Sequence, residues 1–98
     1  MLIARVVGTV VATRKEASME GHKFLLLRQV GADGKETSTH VVASDAVGAG
    51  EGDVVLYATG SSARQTATTH ERPCDAVVMA IVDTWEVGSK RIYDKAER

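Results

Sequence analysis

The segment Asp45-Ala46-Val47-Gly48-Ala49-Gly50-Glu51-Gly52-Asp53-Val54-Val55-Leu56 constrains this chain more than any other. Three glycines alternate with other residues between two apolar runs. Glycine permits a positive φ and a close approach by another backbone, so the segment reads as a shaped turn and not as a linker. A strand follows it directly. A second marker comes at once, Gly60-Ser61-Ser62-Ala63-Arg64. It reads as a helical turn in which Ser61 or Ser62 caps the start and Arg64 projects one turn later.

The rest of the chain reads as short strands separated by turns. Leu2 to Thr13 alternates with period two, and its even positions Leu2, Ala4, Val6, Gly8, Val10 and Ala12 are all small or apolar. That is a long strand with one apolar face. Gly8 in its middle predicts a bend or bulge, as a strand needs at the corner of a small barrel. Lys15 to His22 is a polar loop. Lys23 to Val30 is a second strand, and Gly31-Ala32-Asp33-Gly34-Lys35 a hairpin turn announced by Asp-Gly. Thr37 to Ser44 is a third strand and Asp53 to Ala58 a fourth. Thr66 to Arg72 is polar and expected to be mobile, and Pro73 ends it. Asp75 to Val87 reads as one long fifth strand, and Ser89 to Arg98 as a charged tail, extended or a short helix. Five strands at this spacing predict an all-β fold, a small OB-like closed barrel with its helical turn after strand four. One domain over residues 1–98 is expected, with the barrel at about 2–87 and the tail at 88–98.

At 98 residues the chain buries only about two thirds of its unfolded surface, so self-association offers missing burial. The only aromatics are Phe24, Tyr57, Trp85 and Tyr93, and the core falls to aliphatic residues. A net charge of −1 gives no pull toward nucleic acid or anionic lipid. The basic residues Arg5, Arg14, Lys15, Lys23, Arg28 and Arg64 are interleaved with acids and lack stacking partners, unlike an OB-type single-strand binder. A nucleic-acid-binding OB module is nonetheless the alternative reading. No basic and apolar leader opens the chain, and no apolar run reaches the roughly 20 residues of a membrane span.

Catalytic and metal chemistry find little support. Gly48-x-Gly50-x-Gly52 has the wrong spacing for a dinucleotide fingerprint and precedes a strand. His22, His40 and His70 show no ligand spacing, so no metal is expected. Cys74 is the single cysteine, read as a small buried thiol that forms no disulfide, in keeping with a reducing cytoplasm. The Gly-Ser-Ser-Ala-Arg run is not a nucleophile elbow. No enzyme activity and no cofactor are expected.

The chain resembles the EutN/CcmL family. The resemblance rests on Ala4-Arg5-Val6-x-Gly8-x-Val10-x-x-Thr13, then Asp45-x-Val47-Gly48-Ala49-Gly50-x-Gly52-Asp53-x-Val55-Leu56, Gly60-Ser61-Ser62-Ala63-Arg64, and Asp75-Ala76-x-Val78 with Ile81-Val82-Asp83. Members are pentameric vertex proteins of bacterial microcompartment shells. The resemblance therefore implies a cytoplasmic structural protein, a homopentamer that caps shell vertices and meets hexameric shell proteins at facet edges. On that footing, Gly48, Ala49, Gly50, Glu51 and Gly52 become a candidate pore loop at the fivefold axis, with Glu51 its ionisable group. Arg64 becomes a candidate cross-subunit donor to backbone carbonyls or to a carboxylate, Asp45 or Asp83. Ser61, Ser62 and, more weakly, Arg5 join the candidate interface.

Overall fold

A computed structural model describes residues 1–12, 16–19, 21–67, 69–70 and 75–97. Five strands close a barrel: β1 (Leu2–Val10), β2 (Phe24–Val30), β3 (Glu36–Asp45), β4 (Val54–Thr59) and β5 (Ala76–Ile81), in the order β1-β2-β3-β5-β4. All neighbours are antiparallel except β3 and β5, which run parallel through Ser44 opposite Val77 and Asp45 opposite Val78. That pair closes the barrel and removes its edges.

Alternation places the core. Ala4 and Val6 of β1, Leu25 and Leu27 of β2, Val55 and Tyr57 of β4, and Ala76 and Val78 of β5 point inward and form one buried cluster. Truncating a buried leucine such as Leu25 or Leu27 costs about 2–5 kcal/mol. The register slips between Val6 and Gly8, so the bulge lies where the mid-strand glycine predicts it. The Asp33-Gly34 turn forms, with Gly31 N–H donating to Lys35 O at 2.9 Å and Gly34 at φ 87°.

The 3-10 turn Gly60–Arg64 follows β4 and covers the outside of the barrel. Its Ala63 is fully buried against Ala58 and Val77. Of the 66–72 stretch expected to be mobile, residues 68 and 71–72 lie outside the described residues, and Thr66 and Thr69 bond to each other. Thr69 is fully buried, its hydroxyl 2.6 Å from that of Thr66. Arg72, Pro73 and Cys74 lie outside the described residues, so the reading of Cys74 as a buried thiol does too.

The C-terminal region corrects the sequence reading. The expected strand from Asp75 to Val87 stops at Ile81. Pairing with β4 ends there, after Val55 opposite Ile81 and Val82 N–H donating to Val54 O at 2.8 Å. The chain then leaves the barrel and forms a separate hairpin, β6 (Thr84–Val87) with β7 (Lys90–Asp94), followed by a 3-10 turn at Lys95–Glu97. A two-stranded hairpin alone is marginal in water. Here Trp85 stacks on Tyr93 with centroids 5.4 Å apart, and its indole N–H donates to Ala32 O at 3.0 Å. Ile92 rests against the Gly34 turn. The charged tail is thus a folded hairpin buttressed by the β2–β3 turn.

Candidate assembly site

The glycine-rich turn is rigid, and two aspartates make it so. At its start the Asp45 side chain, only 2% exposed, accepts N–H bonds from Val47 at 3.0 Å and Gly48 at 3.1 Å. This is an Asx turn, in which the carboxylate replaces a backbone acceptor. The Lys23 ammonium stands 3.6 Å from the same carboxylate and donates to Ala49 O at 3.0 Å. At the far end Asp53 accepts from Gly50 N–H at 2.9 Å, and its own N–H donates to Gly50 O at 3.0 Å.

The turn is also laced to β1. Gly52 N–H donates to Val6 O, and Val6 N–H to Asp53 O, both at 2.8 Å. The Arg5 guanidinium donates to Gly52 O at 3.1 Å. Gly48 and Gly52 have φ of 78° and 91°, which explains glycine at both places. Ala49 turns inward and is fully buried in the core. Gly48, Gly50 and Glu51 face solvent. The loop therefore holds one carboxylate, that of Glu51, outward on a fixed frame.

The candidate interface residues divide into two sets. Arg5 lies opposite Arg28 on β2, and both guanidiniums reach Glu36, at 3.1 and 3.6 Å. Arg5 is thus already engaged with Glu36 and Gly52 inside its own protomer. Asp45 is likewise engaged inside its own chain, as builder of the glycine turn. Asp83, Ser61, Ser62 and Arg64 are exposed. Neither serine caps the helical turn. Thr59 holds the N-cap position with extended backbone and makes no capping bond, while Ser61 and Ser62 lie within the turn. The expected serine cap fails because the turn begins a residue earlier, at Gly60.

Groups that could do chemistry are spread apart. His22 Nδ1 lies 2.8 Å from Ser44 Oγ, its ring stacked on Phe24, and His40 Nδ1 lies 3.1 Å from Ser38 O. Among the described residues no three His, Cys, Asp or Glu gather as metal ligands. Tyr57 points into the core at 1% exposure, and burial pushes its phenol pKa up. It is no stacking platform for a base, which weighs against the nucleic-acid alternative. Sequence reasoning missed the roles of Lys23 and Asp53. The available signal was an aspartate at each end of a glycine-rich turn, the usual position for side-chain capping of loop N–H groups.

The fold is an OB-like closed barrel with a braced glycine turn between β3 and β4 and a 3-10 turn after β4. The chain belongs to the EutN/CcmL family, whose model, described as ethanolamine utilisation protein EutN/carboxysome, matches residues 1–83. The carboxysome shell vertex protein CcmL of Gloeobacter violaceus is 47% identical over 98 residues, covering 100% of this chain and 98% of that protein. The solved structure of Gloeobacter violaceus CcmL superimposes with a TM-score of 0.94 at 48% identity, over 98% of this chain and 99% of the other. The pentameric microcompartment shell protein GrpN from Rhodospirillum rubrum gives a TM-score of 0.82 at 40% identity, over 89% of this chain and 99% of the other.

Proposed function

We propose that this chain is a structural vertex protein of a bacterial microcompartment shell, a homopentamer without catalytic activity. One observation carries the reading: the whole length of the chain matches a shell vertex protein at 47% identity, with the same barrel at a TM-score of 0.94. The pentameric GrpN structure supports the ring. A cyclic ring uses heterologous contacts, each protomer offering two different faces. A sheet of sixfold tiles is flat and closes into a polyhedron only where fivefold units interrupt it. The outer rim of the pentamer therefore meets hexameric shell proteins.

The glycine turn is the proposed lining of the fivefold axis. Its small residues let symmetry-related copies approach closely, and its bracing by Asp45, Asp53 and Arg5 keeps the opening fixed. A ring of Glu51 carboxylates would make that opening anionic. In a structure of the ring, Glu51 copies on the axis support this placement, and Glu51 on the outer rim refutes it while leaving the vertex role intact.

The function is tested by co-expressing the chain with hexameric shell proteins and imaging the product by electron microscopy. Closed, faceted particles that contain the chain are expected, with open sheets or tubes when it is left out. Closed particles of the same size without it would overturn the proposal.

A further inference from the structure

The C-terminal hairpin stands apart from the barrel. β6 and β7 form their own two-stranded sheet, beyond residues 1–83 that the family model matches. Two strands alone hold together poorly in water, so the hairpin depends on what it touches. Within it, Arg91 bridges Glu86 at 2.9 Å and Asp94 at 3.2 Å, and Trp85 stacks on Tyr93. Its base is closed by the Lys95 N–H, which donates to Asp83 O at 2.8 Å. Three side chains reach the barrel. The Trp85 indole N–H donates to Ala32 O at 3.0 Å, Ile92 rests on Gly34, and the Lys95 ammonium stands 3.8 Å from Asp53 Oδ1. One buried group opposes the docking: among the described residues the Tyr93 hydroxyl has no hydrogen-bond partner. A buried hydroxyl without a partner carries a desolvation cost that a hairpin released into water does not.

We propose that the hairpin is a strap with a docked and a released state, and that docking it tightens the far end of the glycine turn through Lys95 and Asp53. The Asp53 carboxylate serves both sides at once. Its Oδ1 faces the Lys95 ammonium, and its Oδ2 accepts the Gly50 N–H at 2.9 Å. Lys95 therefore fixes the rotamer that keeps Oδ2 on the turn. The near end of the turn is held separately, by Asp45 on the Val47 and Gly48 N–H groups. Trp85 and Ile92 grip the β2–β3 turn, so the strap joins that turn to Gly50, the residue before Glu51. Whatever grips or frees the hairpin changes how firmly Glu51 is held. The barrel itself closes without the strap, so release is a local opening and not global unfolding.

The test is amide hydrogen exchange of the full chain, followed residue by residue by NMR. In the wild type the amides of β6 and β7 are expected to exchange as one group, faster than those of β1 to β5. Trp85→Phe removes the bond to Ala32 and keeps a ring on Tyr93, so the hairpin should open about two- to tenfold more often. Tyr93→Phe removes the orphaned hydroxyl and keeps the stacking, so opening should become about fivefold or more rarer. Lys95→Met, at a part-exposed side chain that leaves folding intact, should speed exchange at Gly50 by about two- to fivefold and leave Val47 and Gly48 unchanged. Hairpin amides that exchange no faster than the barrel's overturn the released state. Tyr93→Phe that opens as often as the wild type, or more often, overturns the opposing cost. Lys95→Met that leaves Gly50 unchanged, or speeds Val47 and Gly48 equally, overturns the link to the turn. Each of these results leaves the vertex reading standing.

Discussion

Replacing Asp45 tests what holds the glycine turn. Its carboxylate accepts two backbone N–H bonds, at 3.0 and 3.1 Å, and faces Lys23 at 3.6 Å. Asp45→Ala removes all three contacts. The orphaned N–H groups belong to the exposed Val47 and Gly48, so water reaches them and the full penalty of a buried orphan does not apply. The geometry resembles a helix N-cap, where loss of the side-chain acceptor costs about 1–2 kcal/mol. For a domain of this size that lowers Tm by about 4–16 °C. Asp45→Asn separates the causes. An amide oxygen still accepts both bonds, and only the pair with a half-exposed lysine is lost, worth about 0–1 kcal/mol. Thermal unfolding is followed by circular dichroism at one fixed protein concentration, because assembly shifts Tm by mass action. The expected order is wild type, then Asn close behind, then Ala well below. If Asn costs as much as Ala, the charge holds the turn and the Asx-turn account is refuted.

Gly34→Ala should destabilise the chain by about 1–3 kcal/mol and loosen the C-terminal hairpin. Gly34 has φ 87°, and an added Cβ would stand 2.8 Å from Ile92 Cγ2. Emission from Trp85, the single tryptophan, reports the change as a red shift. Tyr57 sets an alkaline limit. Burial raises its phenol pKa above the ordinary value of 10, so the folded barrel keeps a proton that the unfolded chain has lost. Stability attached to this group is complete below pH 10 and falls as pH rises through the folded pKa. Tyr57→Phe should flatten that decline in urea titrations above pH 10, and an unchanged slope would remove Tyr57 as its source. Arg64→Ala should move the preparation toward smaller species in light scattering. Retention of the parent's mass and Tm would mean that this side chain makes no structural contact between protomers.

Local signals were legible where one element decided the outcome. The period-two pattern of β1, the bulge before Gly8, the Asp-Gly hairpin and the 3-10 turn after β4 all follow from short-range sterics and burial. The fifth strand was misread because its apolar run continues past the last pairing position. Its partner β4 begins at Val54, so pairing stops at Ile81 and Val82, where Asp83 and Thr84 end the apolar run and the chain leaves the barrel. The hairpin beyond it depends on Trp85 reaching Ala32 across 53 residues, a contact without a local signature. Asp45 shows the same limit at the candidate site. Its carboxylate suits a cross-subunit acid equally well until Val47, Gly48 and Lys23 are seen to occupy it. The roles proposed for Glu51 and Arg64 involve a second protomer, which no pattern within one chain can display.

The ring itself is the most direct test. Native mass spectrometry of the purified chain should give one dominant species of about 52 kDa, five times the 10.4 kDa protomer, as a closed fivefold assembly requires. A species that stays at 10.4 kDa across micromolar concentrations, or a closed ring of any other number, would contradict the vertex account.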